Sequence, residues 1–491
     1  MTTTSGAYTT ISGVRQHRGA RARPQGYHRG ALRQPTTSDP GLARPARGSL
    51  VGLLVGTALF RLSQNMGITT LSLLAGQDVR LSATDVGLLG SLAGLVVALF
   101  TLVVSGRVPH TAAASSAALG MIVLLGGLLG LGLASSFPDL LLGTVLLGVA
   151  GGVVMPGLLN AVVVESPWQR ERAIALYALV LSVSLVVGPV LETVTLAASH
   201  QDVRVPYLAF AALPGVGALL VAGRHGLRRR APADHRALAR RLRSPAPAGP
   251  QPAAHQPAAP PPATPHPPTR ERGPGRRWAS GLLASGGGRD ALLAQLLYAV
   301  PFAGVTVFGA LVARFGYGMS PAAAQVGFTV FFLCSLGARA VVAWRAPIAD
   351  KKGALWLAAA LTAGGLVLLG TGGSPAELLV AMAVLGIPHG LTYPLALALV
   401  ADATPVERLP RANATLIGST NLTSVLVPLV LGALVSAVGY KAMTLVMLGP
   451  VALFALARLG LGRRRPALPA PGLVGVRAST GAPGESGASK S

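Results

Sequence analysis

"LGIPHGLTYP" (Leu385–Pro394) lies inside a long, almost uninterrupted apolar run, and the chain has already written the same phrase as "LGVAGGVVMP" (Leu147–Pro156). Both copies begin Leu-Gly, place a second Gly four residues after the first, and place a Pro four residues after that. They differ where a polar side chain enters. The first copy has Gly151 and Met155 where the second has His389 and Tyr393. The echo extends in both directions at a nearly constant offset. Glu377 falls on Asp139, Pro405 on Pro167, Arg411-Ala412 on Arg172-Ala173 and Pro428 on Pro189. Upstream, Val326-Gly327 falls on Val86-Gly87 and Ala349-Asp350 on Pro109-His110. Ordered landmarks over several apolar runs mark an internal duplication.

The composition places these runs in lipid. Of 491 residues 51% are hydrophobic and 12% charged, against about a quarter charged in a soluble domain. Twelve apolar runs are long enough to cross about 30 Å of hydrocarbon as helices: 50–75, 86–106, 112–134, 139–164, 174–198, 206–223, 290–313, 322–344, 354–372, 377–401, 412–437 and 442–460. They are too long for membrane strands and lack period-two alternation.

The formal net charge of +25 invites a nucleic-acid partner, and the placement of the charge removes that reading. With the N-terminus in the cytoplasm, only Arg80, Arg204, Arg314 and Lys441 fall in outside loops. Arg61 and Arg339 lie within spans, and the other basic residues gather on the cytoplasmic side or at its edge. This positive-inside pattern puts both termini inside a cell membrane and predicts contact with anionic lipid headgroups on the cytoplasmic face. The basic N-terminus (1–48) is too long and polar to be the leading part of a cleaved signal peptide. It is followed by six helices (49–224), a Pro-, Ala- and Arg-rich linker (225–289), six more helices (290–462) and a tail (463–491). The N-terminus, linker and tail cannot bury a core and are expected to be disordered cytoplasmic segments. Cys334 is alone, which excludes a disulfide framework and a CxxC metal pattern, and it reads as a packing residue. The linker histidines lack ligand spacing, so neither a metal nor a cofactor is expected.

Two six-helix halves with both termini on one side fit a carrier that opens alternately to each side of the membrane. Outside its termini and linker the chain resembles the major facilitator superfamily, on three signatures. The loop after span 2 in that family reads roughly G-x-L-a-D-r-x-G-r. Here "GRVPHTAA" from Gly106 has His110 in the Asp place, and "APIADKKG" from Ala346 has Asp350 and Gly353 in register. Span 5 of the exporters carries G-P-x-x-G-G, and "GPVLET" keeps Gly188-Pro189 but puts Glu192 in a Gly place. Proton-driven drug antiporters carry an Arg before a Gly of span 4, where this chain has Thr144 in "LGTVLLG". The resemblance implies an all-α integral membrane fold of two pseudo-symmetric six-helix bundles, working as a monomer on a small-molecule substrate. It also implies a cytoplasmic gate at Gly106, His110, Asp350, Lys351 and Gly353, which Arg339 is near enough to join. Proton antiport is not inherited, because the span 4 Arg and one loop Asp are missing.

The polar residues inside the spans are the site candidates. Arg61, Asn65 and Thr69 recur at i, i+4 and i+8 on one face of span 1, with Gln64 beside them. An Arg at the midplane costs about 2.5–3.5 kcal/mol on insertion scales, so this face turns to protein or water. By the resemblance, spans 1, 4, 7 and 10 line the cavity, which aims Arg61 at substrate; a structural Arg bonded to helix carbonyls is the alternative. Glu192 is the obvious counter-ion, but it lies about six residues deeper in its span, roughly 9 Å along the axis at 1.5 Å per residue. It therefore either meets Arg61 through water or substrate, or titrates and carries a coupling proton. His389 is a second proton-handling or substrate candidate, with Tyr393 one turn on. Its alternative is a neutral ring bonded to a neighbouring helix or to a carbonyl freed by Pro388. Gln295, Tyr298 and Asn160 complete the candidate substrate contacts, while Thr420 and Asn421 read as helix–helix bonds.

No nucleophile–base pair, metal cluster or long outside loop points to an enzyme. No GxxxxGK[ST] sequence is present to bind ATP. The reading is a secondary transporter, working most naturally as an efflux system for a drug-like compound or secondary metabolite, with proton coupling an open possibility. Uptake or facilitated transport of an anionic metabolite is the alternative, and a non-transporting membrane scaffold is a further one.

Overall fold

The computed structural model describes residues 47–109, 112–166, 170–229, 286–345, 348–405 and 409–463. His110, most of the linker, and nearly all of the N-terminal segment and the tail lie outside them.

The described chain is helical throughout, in twelve successive crossings: α1 (Arg47–Thr69), α2 (Ala83–Arg107), α3 (Ala113–Gly132), α4 (Phe137–Glu165), α5 (Arg170–Ala198), α6 (Val205–Arg229), α7 (Gly286–Leu311), α8 (Pro321–Trp344), α9 (Lys351–Thr371), α10 (Pro375–Ala403), α11 (Leu409–Val438) and α12 (Tyr440–Val446 with Leu448–Arg463). Eleven described helices are long and apolar enough to cross a membrane. The exception is α1, where Arg61, Ser63, Gln64 and Asn65 interrupt the apolar run. Large apolar side chains such as Leu102, Leu119, Leu142, Leu219 and Leu456 stand on the outer surface, an arrangement suited to lipid.

The duplication is visible in the helix ends. Asp139 and Glu377 match because each is the third residue of a capping box. Asp139 accepts from the Ser136 backbone N–H at 3.0 Å, and Glu377 from that of Ser374 at 2.9 Å. After α1 and after α7 the chain makes one π-helical turn, Leu74–Asp78 and Val312–Gly316. Each is closed by a six-residue bond, Leu81 N to Ala75 O at 2.8 Å and Met319 N to Ala313 O at 3.1 Å. The next helix is then capped by Ser82 or Ser320. These caps set the register. Val86-Gly87 and Val326-Gly327, paired by composition, are two residues out of step in space, since helices rich in Gly and Ala offer many false matches.

At the left-handed position of this turn, one half has Gly318 (φ 66°) and the other Arg80 (φ 60°). A side chain there costs about 1–2 kcal/mol that glycine avoids. Arg80→Gly should therefore raise the melting temperature of the purified protein, and Gly318→Ala should lower it. Equal melting temperatures for all three would remove the strain.

The halves use one packing scheme. α2 packs on α4 and α8 on α10; α3 packs on α6 and α9 on α12; α1 packs on α5 and α7 on α11. The repeated Leu-Gly-x-x-x-Gly phrase builds the α2–α4 and α8–α10 seams. A Cβ at Gly152 would stand 2.6 Å from Phe100 Cβ and 2.8 Å from Val97 O, and one at Gly390 would stand 2.7 Å from Ala338 Cβ and against Ser335 O. One turn earlier, Gly148 lies against the Val96 side chain and Ala93 O, and Gly386 against Phe331 O. Close helix crossing through small residues is a standard solution in lipid, where no hydrophobic force gathers helices.

The halves meet along α2–α11 and α5–α8. On the face opposite Arg47 and Arg463, Arg314 donates to Gln77 (3.1 Å), Ala322 N to Gln201 (2.8 Å), and Thr84 and Ser436 share a bond of 3.2 Å. Between these seams, α4 and α10 share no packed face among the described residues.

Candidate substrate-binding site

Arg61 projects from α1 into the middle of the bundle, half-buried, and its Nη1 donates to Gln64 Oε1 at 2.9 Å. Gly151 makes room for this pair. A Cβ there would run into the Gln64 amide. In the second half the matching space is filled by rings. His389 is 3% exposed and stacks on Phe302 at 4.4 Å, with Phe331 at 5.0 Å and Tyr298 at 5.2 Å. Its Nδ1 lies 2.6 Å from Ser335 Oγ on α8, so the ring bonds a neighbouring helix and not a carbonyl freed by Pro388. The Gly-for-His difference between the two phrases is thus a difference in what occupies the same place: Gln64 holding Arg61 in one half, an aromatic stack in the other.

Arg339 does not sit with the loop motif. Its Nη1 crosses to α5 and donates to Ser182 Oγ at 3.2 Å, and it lies within electrostatic reach of Arg61, His389, Tyr298 and Tyr393. Tyr177 of α5 is within the same reach of Arg61 and donates to Met155 O at 3.1 Å. One arginine from each half thus joins a single electrostatic cluster where the halves meet. Neither pairs with a carboxylate among the described residues, and the Nε of each is buried without a partner. Sequence alone missed Tyr177 and Ser182, which carry no pattern beyond being polar residues of span 5.

Other candidates lie elsewhere. Asn65 and Thr69 do share a face, but it turns to α5. The Asn65 side chain lies beside Gly188, and the Thr69 hydroxyl reaches Glu192 Oε2 at 3.2 Å. Glu192 is 0% exposed, and its other oxygen is held by the Thr70 hydroxyl. Arg61 and Glu192 therefore do not meet. Thr69 has a single proton and three acceptors in range, Glu192, Asn65 O (3.0 Å) and Met66 O (3.4 Å). Gln295 donates to Thr420 at 2.6 Å, a bond between α7 and α11. Asn160 is half-buried on α4, and no hydrogen bond ties it to the arginines. In the loop before α9, Asp350 caps that helix through Gly353 N at 2.8 Å, and Lys351 pairs with Asp402 of the same half. Gly106 lies in the last turn of α2. The start of α7 and the last turns of α12 are tied by Asp290 and Arg458 at 2.9 Å.

Two six-helix halves of this kind, meeting around a central polar site, are matched by a family profile, that of the Major Facilitator Superfamily, over residues 53–343 and again over 291–479. The chain belongs to the Major Facilitator Superfamily. It is a multi-pass membrane transporter of a small substrate. Solved superfamily folds superpose on 84% of the chain. They include the nucleoside transporter NupG in its D323A form (TM-score 0.61, 13% identity, 99% of that chain). A POT family transporter in complex with a thioalcohol-conjugated peptide follows (0.62, 10%, 96%). A third is a bacterial homologue of the human lysosomal transporter Spinster, inward-facing and unoccupied (0.58, 16%, 95%). No curated protein sequence matches the chain.

Proposed function

We propose that this chain exports a small organic molecule from the cytoplasm by alternating access, with Glu192 carrying a coupling proton. The observation that carries the reading is the asymmetry of the seam. The halves are joined on the face away from the chain ends by Gln77–Arg314, Gln201–Ala322 and Thr84–Ser436, while α4 and α10 share no packed face among the described residues. With the termini inside, as the basic residues favour, this conformation opens to the cytoplasm and offers the Arg61–Arg339 space to cytoplasmic substrate. Asp350 and Lys351 are then engaged within their own half, and the Asp350–Gly353 loop belongs to a cytoplasmic gate that forms when the carrier turns over. Two arginines at the site, with no carboxylate of the described residues paired to them, speak against a cationic drug. Glu192, wholly buried beside hydroxyls and no cation, is suited to a neutral, proton-bearing carboxyl. His389, bonded to Ser335 and stacked on Phe302, supports the wall of the site.

The test compares the small molecules inside and outside cells that express the chain with those of cells that do not. Export predicts compounds depleted inside and enriched in the medium. Enrichment inside would replace export with uptake, and no redistribution of any compound would sink the transport reading.

A further inference from the structure

We propose that the space between the halves is an oxyanion site, in which Arg61 and Arg339 close on the acidic group of an aromatic organic anion. The proposal rests on the transport reading and names its substrate class.

Each guanidinium is oriented by a neutral acceptor, Gln64 Oε1 at 2.9 Å for Arg61 and Ser182 Oγ at 3.2 Å for Arg339. Neutral partners fix direction without cancelling charge. The two cations act on one another electrostatically from opposite halves, and no carboxylate of the described residues pairs with either. Unpaired like charges in a partly dehydrated space are costly, and an uncompensated buried charge is retained where something else supplies the counter-charge. Glu192, on the same helix as Ser182, is occupied by Thr69 and Thr70 instead. The counter-charge is therefore left to a ligand.

The spare donors say what kind. Both Nε–H groups are buried and unpartnered, and guanidinium forks match carboxylate, sulfonate and phosphate oxygens in pairs. Beside them, Tyr298 stacks on Phe302 at 5.5 Å, and Phe302 on His389 at 4.4 Å, which offers a flat aromatic wall to the rest of the molecule. Because Arg61 and Arg339 belong to different halves, one bound oxyanion draws the halves together across the open side. An anion also suits export, since an inside-negative potential of 100 mV favours the exit of each negative charge by about 2.3 kcal/mol.

A matched naphthyl series tests this on the purified full-length protein by thermal unfolding: 2-naphthoate, 2-naphthalenesulfonate and 2-naphthyl phosphate against 2-naphthylmethylamine and 2-naphthylmethanol. The oxyanions should raise the melting temperature of the wild type by mass action, and the amine and alcohol should not. Arg61→Gln and Arg339→Gln should each lose the response. If a Gln variant does not purify folded, the corresponding Lys variant should still prefer anions while binding about tenfold more weakly, because a point charge cannot form the paired contacts. Stabilisation by the amine or alcohol as strong as by the anions would overturn the site. So would an Arg339→Gln protein that responds like wild type. Redistribution of compounds in cells with no anion response in these assays leaves transport standing and removes the clamp alone.

Discussion

Gly390→Leu is expected to abolish the folded protein. A Cβ at this position already stands against Ser335 O and 2.7 Å from Ala338 Cβ, so the first atom of any side chain meets backbone and not a movable tip. The remaining atoms of a leucine would force α8 and α10 apart along the seam that also sets His389 on Ser335. Overpacking of this kind costs about 1–3 kcal/mol or more, and here two rigid helices must separate. Gly152→Leu should do the same to α2 and α4, where Phe100 Cβ and Val97 O occupy the matching place. Gly364 and Gly449 have nothing within 4 Å, and leucine there should be harmless. Size-exclusion profiles and melting temperatures in detergent measure all four. A Gly390→Leu protein that runs and melts like wild type would show that α8 and α10 do not touch through their backbones.

Glu192→Gln should separate binding from energy coupling. Glutamine keeps the length and polarity that Thr69 and Thr70 require, so the fold and the anion site between the arginines should survive. It cannot exchange a proton. In proteoliposomes, transport of the compound that redistributes in cells should lose its response to an imposed pH gradient, by about two orders of magnitude in initial rate if proton transfer limits turnover. Exchange of the same compound across the vesicle wall, which needs no net proton movement, should continue. A Gln variant that still follows the pH gradient would move the proton elsewhere. Glu192→Lys serves as the contrast, because it puts an unpaired cation into a fully buried position and should not fold.

What could be read from the amino acids depended on which physical property wrote them. Apolar length marks a crossing whatever its neighbours do, so the spans and the repeat were legible, as was the nearness of Gln64 to Arg61 on one helix. Depth was legible too: the offset between Arg61 and Glu192 is the reason they find different partners. Rotation about a helix axis, and contact across the seam, were not. Arg339 sits near the end of its span, which fits a loop motif as well as it fits a crossing to Ser182. Asn65 and Thr69 share a face as their spacing requires, yet spacing does not tell whether that face meets the cavity or α5. Gln295 was indistinguishable from a substrate contact until Thr420 stood opposite it. For His389, the contrast with Gly151 marked a place where the halves differ without saying that the difference was Gln64 against a stack of rings.

The weak hydrophobicity of α1 has a consequence for how the protein is made. This helix leaves the ribosome before α5 and α6, carrying Arg61 at a cost of about 2.5–3.5 kcal/mol if it must enter lipid alone. Its polar partners on other helices are encoded later: Glu192 of α5 for Thr69, Phe210 O for Ser63, and the Tyr207 hydroxyl for Gly67 O. α1 must therefore wait at the insertion machinery, or enter only provisionally, until α5 and α6 have been synthesised. The first half is then assembled in the membrane as a six-helix unit, and the order of synthesis differs from the order of settling.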